Sequence, residues 1–122
     1  MNPRAQIRLL PDGRRLHMHD GPIDLVVEAF GAADEIESAY RAATARFVTV
    51  LDELCEELEF LRCPARVCGP LPHGPIARRM VAAVTPYAAM TFITPMAAVA
   101  GVVAEEILIA MTTAATRPAI AA

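Results

Sequence analysis

Apolar and polar residues alternate along the first 30 positions of the chain, and this period of two predicts β-strands over about residues 4–30. The alternation is interrupted at Asp12-Gly13 and again at Asp20-Gly21-Pro22, where glycine allows the positive φ of a tight hairpin turn. We therefore expect a three-stranded antiparallel meander with one covered face. The residues expected on the covered face of the third strand are Ile23, Leu25, Val27 and Ala29.

Beyond this region the apolar residues recur at spacings of three and four, which predicts a long amphipathic helix over about residues 34–62. Asp34 followed by Glu37 resembles a capping box with Asp in place of Ser or Thr, and Pro64 ends the helix. The apolar stripe consists of Ile36, Tyr40, Ala43, Phe47, Leu51, Leu54, Leu58 and Leu61.

The rest of the chain is expected to form an irregular loop and two further helices. Proline and glycine are frequent in the loop, residues 63–74. Pro75 suits the first position of a short helix over about 75–84, and Thr94 and Pro95 suit the N-cap and first position of an apolar helix over about 95–113. The residues after Thr112 show no periodic pattern and are expected to fray. The predicted fold is α+β, a single domain over residues 1–122, in which the meander is covered by the long helix and the C-terminal apolar helix.

Composition excludes several classes of protein. With 55% apolar and 20% charged residues, an intrinsically disordered chain is not expected. The net charge of −3 argues against a nucleic-acid partner. Pro95 and the pair Glu105-Glu106 interrupt the most apolar stretch, 90–111, so that a buried helix rather than a membrane partner is expected. An odd number of cysteines and the lack of an apolar N-terminal run favour a cytoplasmic protein with free thiols.

Two groups of residues resemble metal ligands. His17 and His19 lie two apart on a strand and so share a face, next to Asp20; they could hold a metal, or simply form a solvated sheet face. Four residues separate Cys63 from Cys68, whereas zinc loops usually have two between their cysteines. No metal site is therefore expected, and whether the two histidines bind metal stays open.

Two helix starts are candidate ligand sites. Arg78 and Arg79 follow Gly74-Pro75 in the first turns of a predicted helix, where unpaired N–H groups and two guanidinium groups could clamp a phosphate. Solvated arginines, or arginines paired with carboxylates, are the alternative. The small residues of 94–101 allow a flat ligand or a partner helix to approach the backbone closely, or else pack tightly in the core. Catalytic residues stay unknown, because no Ser-His-Asp set, Walker loop or dinucleotide fingerprint occurs.

Three ordered motifs then resemble an uncharacterised family of the ApbE-like superfamily, over about Arg8 to Met111. They are Gly21-Pro22-Ile23-Asp24-Leu25, Gly74-Pro75-Ile76-Ala77-Arg78-Arg79-Met80 and Thr94-Pro95-Met96-Ala97-Ala98-Val99-Ala100-Gly101. Better-known ApbE proteins are FAD-binding, magnesium-dependent flavin transferases that attach FMN to a threonine of a partner protein. The resemblance implies binding of FAD or another flavin nucleotide, with no assignment for magnesium. The implied cofactor-binding residues are Arg78, Arg79, Thr94, Pro95, Met96, Ala100 and Gly101.

Two departures from that family limit the expected activity. Ala100 stands where the family has the Lys of a Lys-Gly pair, and a Gly-rich second half with an Asn-Gly-Gly-Asp type motif does not follow before Ala122. The expectation is a truncated segment, inactive alone, whose partner is a second copy or a complementing C-terminal half. The alternative is a non-catalytic assembly module that completes its fold with a second chain or copy. In either case the isolated chain is expected to self-associate.

Overall fold

The alternating segments form an antiparallel meander in the computed structural model, which describes residues 3–114 and the backbone of residues 119–121. Its strands are β1 (Gln6–Leu9), β2 (Arg15–Asp20) and β3 (Ile23–Phe30). A short strand β4 (Ala119–Ala121) pairs antiparallel with the end of β3, and the order in the sheet is β1-β2-β3-β4. The predicted meander is confirmed. The expected frayed tail is wrong for residues 119–121, because they extend the sheet.

Polar groups and glycines shape the two turns of the meander. In the first turn, one carboxylate oxygen of Asp12 accepts hydrogen bonds from the backbone N–H groups of Arg14 and Arg15, at 2.9 and 3.1 Å. These bonds, with the guanidinium of Arg15, hold the pKa of Asp12 well below its usual range. In the second turn, Gly21 has a φ of +58° directly after Asp20, which pairs with Ile23. Glycine at the first central position of a two-residue hairpin is the requirement of a type II′ turn.

One face of the meander is buried, as the alternation predicts. Leu16 lies opposite Val27 and Met18 lies opposite Leu25, so the apolar residues of neighbouring strands meet on the same face. Asp20 occupies this face too and is 0% exposed. Its carboxylate accepts hydrogen bonds from the guanidinium of Arg4, which is half-exposed. A buried carboxylate therefore closes the apolar face at the end of β2.

Four α-helices follow within the described residues: α1 (Ala33–Glu56), α2 (Leu58–Leu61), α3 (Pro75–Val84) and α4 (Val99–Ala114). Two 3₁₀ turns, Thr85–Tyr87 and Pro95–Ala98, precede α4. The long amphipathic helix and the C-terminal apolar helix are confirmed. However, the long helix ends at Glu56, and Glu57 separates it from α2.

The start of α1 differs from the predicted capping box. The helix begins at Ala33, one residue before Asp34, and the first helical bond runs from the N–H of Ile36 to the carbonyl of Ala32. Asp34 accepts only from the N–H of Glu35, and Glu37 pairs along the helix with Arg41. The side chain at 37 thus joins an i,i+4 ion pair rather than returning to the cap.

The contacts divide the chain into two compact units. The first contains the residues up to Leu51 and those from Ala104 onward. In it Tyr40 of α1 is hydrogen-bonded to the N–H of Ala29 and to the carbonyl of Arg14, which ties α1 to the sheet. Its described core side chains are Leu16, Met18, Val27, Ala29, Ala39, Ala43, Phe47, Val50, Ile107 and Met111.

The second unit spans Asp52–Val103 and contains α2 and α3. The 3₁₀ turn Pro95–Ala98 packs against α3. The carbonyl of Ile93 accepts a hydrogen bond of 2.7 Å from the N–H of Ala65, which joins the segment before this turn to the loop after α2. The buried apolar side chains of this unit are Leu54, Leu61, Ile76, Ala77, Met80, Val84, Val102 and Val103.

The final apolar helix is less buried than its composition suggests. Among the described residues, Pro95–Ala114 is the stretch that is long enough and apolar enough to cross a membrane, and core helices of soluble proteins meet the same two criteria. Only 22% of the residues in its most apolar 18-residue window are fully buried, so the expectation of a buried helix is wrong for most of its residues. Within the first unit, Glu106 of α4 accepts a hydrogen bond of 2.7 Å from Arg46 of α1.

Candidate functional site

The predicted anion site at the start of α3 already contains a carboxylate of the chain itself. Gly74 is the N-cap and Pro75 the first helical residue, as the sequence predicts. The N–H of His73 donates to one carboxylate oxygen of Glu57 at 2.6 Å, and the N–H of Gly74 donates to the other at 2.9 Å. Glu57 therefore lies where a ligand phosphate was expected. We refer to Glu57, His73 and Gly74 as the Glu57 clamp.

The break between α1 and α2 is what leaves Glu57 outside a regular helix. Its φ and ψ of −120° and 19° are not helical, and its N–H donates to the carbonyl of Leu54 at 3.2 Å. A glycine at 74 suits the close contact, since a Cβ built there would lie 3.2 Å from the nearer carboxylate oxygen of Glu57. The clamp therefore depends on a helix break at one end and on a glycine at the other.

The electrostatics of the clamp favour an ionised carboxylate. The backbone N–H of His73 lowers the pKa of Glu57 most, and the N–H of Gly74 and the charge of Arg78 act in the same direction against the effect of burial. Arg78 itself donates from Nε to the carbonyl of Pro72 at 2.9 Å. The N–H groups of His73 and Gly74, just before the helix, thus bond to a carboxylate of the chain itself, and a phosphate that bound to them would have to displace it. Phosphate binding by Arg78 and Arg79 stays a prediction.

The second predicted helix start, at Thr94, has the expected backbone but a different cap. Thr94 is extended and Pro95 is the first residue of the 3₁₀ turn, yet the Thr94 side chain makes no capping hydrogen bond. Pro95 is buried, whereas Met96 is half-buried. Pro95 also lines a pocket of about 330 Å³. The other residues that line it are Phe60, Cys63, Pro64, Ala65, Arg66, Gly69, Pro70 and Val81.

Ala100 and Gly101 lie exposed on α4. A Cβ built on Gly101 meets no other described heavy atom within 4 Å, apart from the helix's own nearby backbone. The expected close approach of backbone to Gly101 is therefore wrong within this chain. Binding of a ligand by Ala100 and Gly101 stays a prediction.

Gly101→Ala should raise the free energy of unfolding by up to about 1 kcal/mol. Alanine is the better helix former, and the space beside position 101 is open. Thermal unfolding of the wild type and the variant, followed by circular dichroism, measures the change. Gly74→Ala serves as a contrasting variant, because its Cβ would press on Glu57 and should destabilise the protein. A lower melting temperature for Gly101→Ala would show that a partner or ligand covers this position.

The candidate metal ligands are arranged differently from a metal site. His17 pairs with Asp24, and the rings of His17 and His19 lie side by side with centroids 6.3 Å apart. Asp20 faces the opposite, buried side of the sheet. Cys55, Cys63 and Cys68 are exposed free thiols. Within residues 3–114, no group of three or more His, Cys, Asp or Glu side chains is placed to hold a metal ion.

The structure also contains a groove that the sequence did not predict. It lies in the first unit between the turn after β1, the end of β3 and the first turns of α1, and its volume is about 660 Å³. Leu9, Leu16, Ala29, Phe30 and Ile36 give it apolar walls. Its polar lining residues are Arg14, Glu28, Glu37, Tyr40, Arg41 and Thr44. The groove depends on contacts between elements that are distant in sequence. The strand alternation and the helical spacing of apolar residues cannot predict such contacts.

An open sheet edge lies beside this groove. β1 is the first strand of the sheet, and no described element pairs with its outer side. Three of its four residues are exposed, including Leu9 at 52%. An exposed edge presents a row of backbone donors and acceptors that another strand can pair with. This edge is the most evident binding surface of the first unit.

Comparison with known proteins identifies the family of the chain. No curated protein and no solved structure resembles the chain significantly. A family model described as AbpE bacteria matches residues 7–121. This match is to a different family from the ApbE flavin transferases, so the resemblance inferred from the three motifs is wrong. The reason for expecting a flavin, which was that resemblance, is removed with it. The chain belongs to the AbpE bacteria family.

Proposed function

We propose that this protein is a non-catalytic assembly module that extends its sheet by pairing β1 with β1 of a second copy. The observation that carries the proposal is the open, exposed edge of β1. Strand addition at such an edge is a common mode of association, in which main-chain hydrogen bonds supply affinity. The half-exposed Leu9 adds apolar area that a second copy would cover.

The hydrogen-bond pattern within the sheet identifies which backbone groups face outward. The N–H of Leu10 donates to the carbonyl of Arg15, and residues along an antiparallel strand alternate between bonding inward and outward. Arg8 and Gln6 therefore bond toward β2, as Leu10 does. The N–H and C=O groups of Ile7 and Leu9 point to the open side of β1. Two copies can pair only in registers that bring such outward residues opposite one another.

Charge then distinguishes two registers, one with its twofold axis at Ile7 and one with its axis at Arg8. A twofold axis at Ile7 places each Arg8 opposite Gln6 of the second copy, and each Leu9 opposite Ala5. Shifting the axis to Arg8 would place the two Arg8 side chains directly opposite, and like charges in that position are destabilising. We therefore assign the twofold axis to Ile7.

Substitutions of Gln6 test both the assembly and its register. Gln6→Glu should tighten the dimer, because each new carboxylate faces Arg8 of the other copy, and Gln6→Arg should weaken it. With two symmetric pairs of about 0.2–1 kcal/mol each, the dimerisation constant should change by about two- to thirtyfold in each direction. Sedimentation equilibrium over a concentration series measures that constant.

Ser38→Glu and Ser38→Arg are the matched controls. Ser38 is exposed on α1 rather than on β1, and these changes alter the net charge by the same amount as the changes at Gln6. The Ser38 variants should dimerise as the wild type does. A protein that stays monomeric at every concentration would overturn the proposed assembly. If the protein dimerised but neither Gln6→Glu nor Gln6→Arg changed the dimerisation constant, self-association would take place through a different surface.

A further inference from the structure

The acidic residues of the chain are absent from one long segment. Between Glu59 and Glu105 there is no Asp or Glu, although the whole chain carries 14. The same segment contains Arg62, Arg66, Arg78 and Arg79. A protein with a net charge of −3 therefore includes a strongly cationic stretch, which lies almost entirely in the second unit.

Most of the exposed large apolar side chains belong to this acid-free segment. Met90 is 87% exposed and Phe92 is 77% exposed, more than any other large apolar residue among those described. Both lie just after the 3₁₀ turn Thr85–Tyr87, where the N–H groups of Met90 and Thr91 bond to the carbonyl of Tyr87. The apolar residues exposed in this segment are Val67, Leu71, Tyr87, Met90 and Phe92.

A backbone hydrogen bond brings the two loops of this segment together. The N–H of Ala65 donates to the carbonyl of Ile93 at 2.7 Å, which places Arg66 and Phe92, the next residues along, on adjoining chains. The guanidinium of Arg66 and the ring of Phe92 are both exposed. Exposed cationic and apolar residues are therefore neighbours in the second unit at Arg66 and Phe92, and Tyr87 and Met90 lie within five residues of Phe92 along the chain. We call Arg62, Arg66, Tyr87, Met90 and Phe92 the cationic apolar patch.

We propose that the cationic apolar patch docks on the surface of an anionic lipid membrane. Arginine is attracted to anionic headgroups, and aromatic and aliphatic side chains on a protruding turn can enter the boundary between headgroups and acyl chains. Exposed apolar side chains of this size, in a segment of sequence that contains no Asp or Glu, suit a lipid surface better than a nucleic acid, which binds cationic grooves and stacks bases on aromatic rings. The proposal departs from the expectation of no membrane partner, which considered only a spanning helix.

Vesicle co-sedimentation of the full chain tests the proposal. The protein should bind vesicles of phosphatidylcholine mixed with phosphatidylglycerol, and should not bind vesicles of phosphatidylcholine alone. Met90→Ser combined with Phe92→Ser should weaken binding at least tenfold, because in the wild type both apolar side chains are transferred out of water when the protein binds the membrane. Arg62→Gln combined with Arg66→Gln should weaken it by about 25-fold, at about fivefold for each arginine near the surface.

Matched variants outside the patch serve as controls. Phe30→Ser removes an exposed aromatic residue of the first unit, and Arg14→Gln with Arg41→Gln removes two exposed arginines there. Both controls should bind as the wild type does, with unchanged circular dichroism. The proposal is overturned if the protein binds neither kind of vesicle. It is also overturned if the patch variants and the control variants lose vesicle binding to the same extent. The proposal is also overturned if the arginine substitutions weaken vesicle binding while the Met90 and Phe92 substitutions do not. That result would indicate a surface that binds polyanions in general, such as nucleic acids.

Discussion

Arg4→Ala should lower the free energy of unfolding by about 3 kcal/mol, because it leaves the buried carboxylate of Asp20 without its guanidinium partner. Removing one partner of a buried ion pair typically costs about 3–5 kcal/mol. We expect a loss at the low end of this range because Arg4 is itself half-exposed, although Asp20 is 0% exposed. Urea-induced unfolding measures the loss as a lower midpoint at unchanged slope.

A second substitution separates the charge effect from simple loss of packing. Asp20→Asn in the Arg4→Ala background should recover part of the lost stability, since a neutral amide is less costly to bury than a carboxylate that has lost its guanidinium partner. Arg8→Ala is the control, because Arg8 lies exposed on the opposite face of the same hairpin. If Arg4→Ala proved no more harmful than Arg8→Ala, the buried pair would not stabilise the end of β2.

Glu57→Gln should lower the free energy of unfolding by about 2 kcal/mol. A carboxylate accepts from both N–H groups of the clamp, whereas an amide offers one acceptor and turns an N–H toward the other donor. Hydrogen bonds to a charged group contribute about 1.5–3 kcal/mol. Thermal and urea unfolding measure the difference. Glu56→Gln, an exposed neighbour, is the matched control and should change stability little.

The clamp also predicts a pH dependence with a definite sign. Because the folded pKa of Glu57 is below its ordinary value of 4.5, the unfolded chain binds a proton first as the pH falls. The contribution of the clamp is complete above about pH 4.5 and is lost as the pH falls through the folded pKa. The stability gap between the wild type and Glu57→Gln should therefore narrow in acid. If the difference in unfolding free energy between the wild type and Glu57→Gln stayed constant down to the lowest pH at which the protein folds, the lowered pKa of Glu57 would be contradicted.

Local pattern was sufficient to predict most of the secondary structure. Strand alternation, the glycines at 13 and 21 and the prolines at 75 and 95 each act within a few residues, and the structure has strands, turns and helix starts there. The break at Glu57 was missed because Leu54, Leu58 and Leu61 continue the helical spacing across it. Its signal is tertiary, since the carboxylate of Glu57 bonds to residues 16 and 17 positions further along the chain.

The candidate sites were harder to predict for the same reason. Arg78 and Arg79 lie on a helix start as expected, but the sequence does not reveal that the carboxylate of Glu57 already bonds to the N–H groups of His73 and Gly74 just before this helix. Gly101 was read as a contact position from its small neighbours, whereas it faces open space within this chain. Exposure of β1, Met90 and Phe92 depends on what the rest of the chain covers, and spacing along the sequence does not contain that information.

The strands of the sheet pair across very different lengths of intervening chain, and these lengths affect the order in which the strands can pair. β1, β2 and β3 are joined by tight turns, so their pairing requires little loss of chain entropy. β4 instead pairs Ala121 with Glu28, and the ion pair that ties α4 to α1 joins residues 60 positions apart. The nascent meander can therefore form while the later residues are still being synthesised. Its β3 edge then stays open until β4 has been synthesised.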